Sequence, residues 1–529
     1  MQLALELHLA PCTLEDHDKH LQQNGIAMNG NHNLIELSDA LRWQDIAQVA
    51  TGNTLVLSEK AIERVVRARA IVDVLVEKEI RGYGINTGVG ALCDEVIDRA
   101  DQQRLSRNIL LSHSCGVGAM LDQEETRAVM AAQIANLSHG YSGVRPQTLN
   151  ALLALLNANI LPRIPSKGSV GYLTHAAAIG LVLIGEGEAL VDGQVVSGQE
   201  AMRRVGLEPL ILEAKEGLLL VNGTPCATGL ASIALARLER LLDWADAAAA
   251  MTYEMLGAQD APFAPVPLAL RKSAGVAKVG ERLRCLLEGS AFLAASTGSR
   301  TQDPLSLRAV PQIHGAIHDV HTDVGHIVDN ELASVTDNPV VSGTPERPEV
   351  HSQAHAVGAA LGLAMDNLAT ASAELAAISE RRIDRLVNPL VSGLPGFLAE
   401  PGGVSSGFMI IQYTAVSLTA ENRRLAAPAS LDGGITSALQ EDILTHATPA
   451  ADKALAILSN LETILAIELL AAAQAQDMQT GTAAKSKRTA ALHDQIREIA
   501  PVYRDDRPLN QLVVAVRDFL RKNGAPFLS

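Results

Sequence analysis

Three features of the chain predict an all-α protein built from long helices. Aromatic residues make up only 3% of it, and Ala and Leu fill its longest segments, a composition that favours helix over strand. Five segments, at about 227–256, 311–331, 356–386, 406–426 and 450–474, carry apolar stripes over lengths that suit an elongated helix bundle. At 47% hydrophobic over 529 residues, the chain can bury a large core, as one big domain with satellites or as two to three domains.

Taken in order, residues 1–33 carry mixed polar residues with little periodicity and read as an N-terminal extension. Residues 34–225 form a small mixed part. Leu34 to Leu37 alternates weakly, and Ser58 then caps a helix to about Ile80 with Ile62, Val65, Val66, Ala70, Val72 and Val76 on its apolar side. Glycines from Gly82 to Gly90 break that helix. Helical patterns resume over 102–111, stop at Ser112 to Gly116, and return over 124–137. A Pro-led, Gly-rich loop (Pro165, Gly168, Gly171) runs into an apolar helix, and the alternation over 188–196 predicts a hairpin. Residues 226–480 hold the long-helix bundle and 481–529 the C-terminal tail helices, one of them at Leu509–Lys522. The apolar faces of such helices call for partners, and self-association is the simplest solution.

Acidic residues exceed basic ones, 59 against 43, for a net charge of −16, and no Lys/Arg block appears. Nucleic-acid binding is therefore not expected. The five cysteines (Cys12, Cys93, Cys115, Cys226, Cys285) are scattered, odd in number and without Cys-x-x-Cys spacing, which suggests a reducing compartment. No basic leader precedes an apolar run, and the longest apolar stretches are interrupted by Glu, Asp or His. Neither a secretory signal nor a membrane span is expected, and a cytoplasmic enzyme is the default.

Several residues have the chemistry of a site. Tyr83, in Gly-Tyr-Gly-Ile-Asn-Thr-Gly, can serve as a proton acceptor if its pKa is lowered; otherwise it is a half-buried tyrosine. His113 sits in a loop where a histidine is commonly just hydrogen-bonded. Asn222 precedes a glycine, as turn-capping asparagines do. Arg308 has the fork that grips a carboxylate, or forms a structural ion pair. Glu441, in Gln440-Glu441-Asp442, can partner a cation or cap a helix. His314, His318, His321 and His326 follow one another with Asp319 and Asp323 along a predicted helix. No compact ligand motif accompanies them, so a polar helix face at a subunit contact is preferred to a metal site, and no metal is assigned.

Pro-Ser-Lys-Gly-Ser-Val-Gly at 165–171, Tyr-Gly-Ile-Asn-Thr-Gly at 83–88 and Ala-Lys-Glu-Gly-Leu-Leu-Leu-Val-Asn-Gly-Thr at 214–224 resemble the aromatic amino acid ammonia-lyase family, and most of all its histidine ammonia-lyases. The resemblance runs from about Leu37 to Gln474. It implies a helical bundle of the fumarase/aromatic-lyase type, a homotetramer with shared sites, and a small-molecule amino-acid substrate. It assigns catalytic roles to Tyr83, Asn222, Arg308 and Glu441, and substrate binding to His113, Gln302 and Gln440. The carboxylate at Glu441 matches the one that histidine lyases carry.

The same resemblance implies a methylidene-imidazolone (MIO) prosthetic group, formed in the family from Ala-Ser-Gly after Gly-Ser-Val-Gly. Here Gly171 runs directly into Tyr172, and the stretch is about three residues short. Placed otherwise, the equivalent tripeptide is Ser169-Val170-Gly171, whose middle residue has no hydroxyl to lose. Leu305 stands where the family has a tyrosine, and Ala354 where it has an aromatic. The expected function is a carbon–nitrogen lyase eliminating ammonia or an amine from histidine or a histidine-like amino acid, giving a urocanate-like acid. The alternatives are an MIO-free, ergothionase-like lyase for a quaternary betaine, or a silent scaffold or partner subunit.

Overall fold

The computed structural model describes residues 33–400, 402–431 and 433–525; the expected N-terminal extension and Cys12 lie outside them. Two compact units result. The first holds Met1–Gly229, Glu331–Val357 and Gly434–Ile443; the second holds Leu230–Asn330, Gly358–Gly433 and Leu444–Ser529. Helix dominates, and every strand among the described residues lies in the first unit.

In the first unit, β1 (Leu34–Leu37) runs parallel to β2 (Thr54–Leu57). Alternation buries Ile35 and Leu37. Ser58 accepts from the Ala61 amide and starts the helix Glu59–Glu77. Left-handed Glu79 and a bond from the Ile80 amide to the Leu75 carbonyl end it, a Schellman-type stop. Its buried face (Ala68, Ile71, Val72, Leu75) shares a core with Ile85 and Val341. Val341 belongs to β8 (Val340–Thr344), which pairs with β9 (Arg347–His351). The hairpin from the middle of the chain thus closes over the glycine turn that follows the helix.

A reciprocal Asp122–Glu125 capping box opens the helix Gln123–Ser138, and Pro146 occupies the first turn of Pro146–Asn157. Buried Arg127 donates to the carbonyls of Val49, Asn53 and Leu156, so one guanidinium satisfies three backbone carbonyls. Strand β3 (Val117–Met120) pairs antiparallel with β5 (Pro165–Lys167), and β4 (Leu161–Pro162) with β6 (Glu188–Val191). Strands β6 and β7 (Gln194–Ser197) form the expected hairpin. The predicted break at Ser112 falls later, because Gln102–His113 stays helical through His113.

The second unit is a bundle of long helices: most of Pro225–Met255 and Val310–Leu332, with Ala359–Val387, Met409–Leu425 and Ala447–Asp477. Ala359–Val387 packs along Ala447–Asp477. Two helical runs, Glu216–Met255 and Ala447–Asp477, are long and apolar enough to cross a bilayer, but their apolar windows are 100% and 78% buried. Core burial therefore accounts for their composition.

Three members of the histidine row lie inside this bundle and away from the expected subunit-contact face, while His326 stays exposed. His314, His318 and His321 are buried within the chain's own bundle. His314 Nδ1 lies 2.8 Å from Asp246 Oδ1, and its Nε2 lies 3.4 Å from Arg382 Nη1. Arg382 in turn forks onto Glu468 at 2.6 and 2.8 Å. Ser379 and Thr252 donate to the same carboxylate at 2.6 and 2.9 Å. His321 meets the Leu235 carbonyl instead, at 3.0 Å. Burial opposes ionisation of Asp246, but His314 and His318 hold its carboxyl below the usual range; burial pushes His314 down.

Candidate active site

The first unit holds a cavity of about 890 Å³ lined by Tyr83, His113, Val170, Tyr172, Asn222, Gln440 and Glu441, among others. That volume suits a small-molecule site, roughly 300–1,000 Å³. It brings together six of the residues singled out in the sequence, although they come from segments hundreds of positions apart. Gly171 and Ser169 belong to the same loop.

Tyr83 stands on a glycine turn held by its own neighbours. The Gly82 amide donates to Asn86 Oδ1 and the Gly84 amide to Thr87 Oγ1. Gly84 has φ +59°, and a Cβ there would meet Leu218 Cδ2 at 2.2 Å. The phenol oxygen of Tyr83 accepts from the Gly90 amide at 2.9 Å. Its pKa is raised, not lowered as a resting base would need: burial dominates, the Gly90 amide opposes it, and Glu441 adds to it. His113 ends its helix with Nδ1 3.1 Å from Ser112 Oγ, and burial holds it below its ordinary value, hence neutral at pH 7.

Glu441 is presented by a strained turn. Ser437, Ala438 and Leu439 all have positive φ, and Thr436 and Glu441 bridge their backbones across them. The Ala91 amide donates to Ser437 Oγ at 3.1 Å, docking this turn on the Gly90 turn. Two hydroxyls donate to the same carboxylate oxygen, Glu441 Oε2: Tyr172 Oη at 3.0 Å and Thr436 Oγ1 at 3.0 Å.

Asn222 caps the short helix Glu216–Val221. Its amide nitrogen donates to Asp337 Oδ1 at 3.2 Å and to the Asn338 carbonyl at 2.7 Å, which leaves the oxygen to the cavity. Asp337 is itself held by fully buried Lys215 at 2.6 Å. Burial lowers the Lys215 pKa, with Asp337 opposing the shift. Gln353 donates to the Asp337 carbonyl at 2.9 Å, and Ala354 beside it lines the cavity.

Gln302 and Arg308 belong to the second unit. They meet each other there: with its oxygen facing the guanidinium, Gln302 accepts from Arg308 Nη2 at 2.7 Å. Leu305, between them in sequence, is 63% exposed.

Residues 41–498 match the model of the aromatic amino acid lyase family. The chain belongs to that family. It is 45% identical over 476 residues to a histidine ammonia-lyase of Symbiobacterium thermophilum, covering 89% of this chain and 93% of the relative. The crystal structure of histidine ammonia-lyase from Trypanosoma cruzi superposes with a TM-score of 0.85 at 34% identity, covering 92% of this chain and 94% of that one. Ergothionase from Treponema denticola, an ergothioneine-degrading enzyme, gives a TM-score of 0.86 at 28% identity over 93% and 99% of the two chains. As an aromatic amino acid lyase, the chain is an enzyme that breaks carbon–nitrogen bonds.

For this aromatic amino acid lyase, the loop residues do not fit the cyclised ring that the motif resemblance implies. Val170 has no side-chain oxygen, and the Ser169 hydroxyl is committed, accepting from the Gly171 amide at 3.1 Å and donating to the Tyr172 carbonyl at 3.0 Å. Sequence reasoning passed over Tyr172 and Thr436. Thr436 lies five residues before Glu441, while Tyr172 lies 269 residues away; the only hint of Tyr172 in the text is a phenol directly after the last loop glycine.

Proposed function

We propose that the chain is a lyase of the histidine ammonia-lyase type, eliminating ammonia or an amine from histidine or a histidine-like amino acid to give a urocanate-like acid. The observation that carries this reading is a carboxylate, Glu441, in the same cavity as a tyrosine phenol, Tyr83. Glu441 pairs with a ring N–H and favours the ring's positive form, which acidifies the adjacent β-hydrogen. The Tyr83 phenolate takes that proton. The C–H electron pair becomes the new double bond, and the C–N pair leaves with nitrogen as a neutral amine. Asn222 accepts from the substrate amine through its free oxygen, and His113 and Gln440 complete the wall around the ring.

Arg308, with Gln302, is assigned to the substrate carboxylate by the motif resemblance alone. The helix Met409–Leu425 exposes Ile410, Tyr413 and Val416, which supports a homo-oligomer, proposed as a tetramer with shared sites in the cytoplasm. Sedimentation or light scattering tests the tetramer.

The Val170 position supports a second reading, a quaternary betaine substrate. Trimethylamine leaves more readily than ammonia and makes less demand on an electrophile. Incubating the chain with histidine and, separately, with ergothioneine, and following the absorbance of the unsaturated acid, decides between them. Consumption of histidine supports the first reading and consumption of ergothioneine the second. Neither being consumed at any pH refutes both and favours a silent scaffold.

A further inference from the structure

We infer that Tyr172 is a specificity-determining positioning residue: through Glu441 it makes the cavity discriminate an imidazole-type ring from a plain phenyl ring. The inference deepens the lyase reading and rests on its placement of the substrate ring against Glu441.

The loop is built to aim this phenol. Leu173 has φ +75° and ψ −72°, and the Thr174 amide bonds back to the Tyr172 carbonyl at 3.1 Å, forming the strained hand of the γ-turn. The Leu173 amide is tied to the Val221 carbonyl at 2.9 Å. The Tyr172 carbonyl also accepts from Ser169 Oγ at 3.0 Å. A non-glycine residue persists in such a conformation only where its surroundings over-determine it. Here they do, and the result is a fixed ring whose hydroxyl reaches Glu441.

The consequence lies in which oxygen is taken. Both donors, Tyr172 Oη and Thr436 Oγ1, sit on Glu441 Oε2. Two donors on one oxygen fix the plane of the carboxylate and leave Oε1 free to accept an N–H in the cavity. Thr436 alone, a single donor from the same turn as Glu441, does not fix that plane. A phenyl ring offers Glu441 no N–H and gains nothing from the arrangement. Burial and the neighbouring Glu441 push the Tyr172 phenol well above its ordinary range, so it stays a donor at every working pH.

The test is binding of two substrate-like acids that lack the leaving amine, 3-(imidazol-4-yl)propanoate and 3-phenylpropanoate, by calorimetry on the full chain. In Tyr172→Phe, affinity for the imidazole acid is expected to fall roughly five- to tenfold, the scale of one ordinary hydrogen bond lost indirectly. Affinity for the phenyl acid stays within twofold. In a Glu441→Gln background the same change costs no further affinity, since its effect passes through the carboxylate. With a turned-over imidazole substrate, KM rises and kcat falls too, since Glu441 also acidifies the β-hydrogen. Thr436→Val, which removes the other donor from the same oxygen, gives the same pattern and stands in if the first variant misfolds.

Equal losses for both acids, the same loss in both backgrounds, or a wild-type chain that does not prefer the imidazole acid would overturn the inference. Preference that depends on Tyr172 in a chain that eliminates no amine would instead refute the lyase reading and leave this one standing.

Discussion

In the lyase proposed above, Glu441 is the residue that reads the substrate ring. Glu441→Gln removes the charge while keeping the shape, so kcat/KM for an imidazole substrate is expected to fall roughly 10–100-fold, with phenylalanine turnover unchanged. Steady-state kinetics on both amino acids checks it, and a parallel loss on both refutes it. In the same proposal Tyr83 is the base, so it would set the pH dependence. Its phenol is held above the ordinary tyrosine value, mainly by burial. The phenolate fraction therefore rises roughly tenfold per pH unit up to that raised value, and kcat/KM rises with it on the alkaline side. The rise vanishes in Tyr83→Phe. A profile that is flat from neutral to alkaline pH would remove Tyr83 as the base.

At the scale of elements, short strained turns docked on each other hold the site. Gly90 has φ +59°, and a Cβ added there would lie 2.3 Å from Ser437 Oγ. Gly90→Ala forces that hydroxyl off the Ala91 amide and loosens the turn that carries Glu441. Activity should fall at least tenfold, while the melting temperature moves by only a few degrees, as expected for about 1–2 kcal/mol of left-handed strain. Ser58→Ala is the converse case. It removes the cap of Glu59–Glu77 at about 1 kcal/mol, with no change in KM. Chemical denaturation and steady-state kinetics on the two variants separate these outcomes.

Across the whole molecule, the network of Asp246, His314, Arg382 and Glu468 joins four long helices through buried charge. Arg382 and Glu468 are fully buried, so neither tolerates loss of the other. Arg382→Met leaves a carboxylate in the core with hydroxyl donors alone, and should destabilise the chain by about 3–5 kcal/mol. Scanning calorimetry measures the loss; an unchanged transition would mean that the network carries little of the bundle's stability.

The long helices were legible in the sequence because an apolar stripe, or an unbroken Ala/Leu run such as the one buried all round in the second half of Ala447–Asp477, is written locally. Ser58 and the hairpin of β6 and β7 were legible for the same reason: a cap and a two-residue turn are neighbours in the chain. The motifs around Tyr83, His113, Asn222 and Glu441 could be picked out one at a time. What they share could not. That Glu441 meets Tyr172 across 269 positions, and that Asn222 leans on Asp337 across 115, are facts of chain closure, which no local pattern encodes. The histidine row shows the limit most clearly. Its spacing identified one helix face, but only the packing of three other helices decided that His314, His318 and His321 lie inside while His326 does not, and burial there keeps His314 neutral against Asp246. The sequence determined which groups are available; the tertiary structure decided which of them desolvate one another, and that desolvation sets their chemistry.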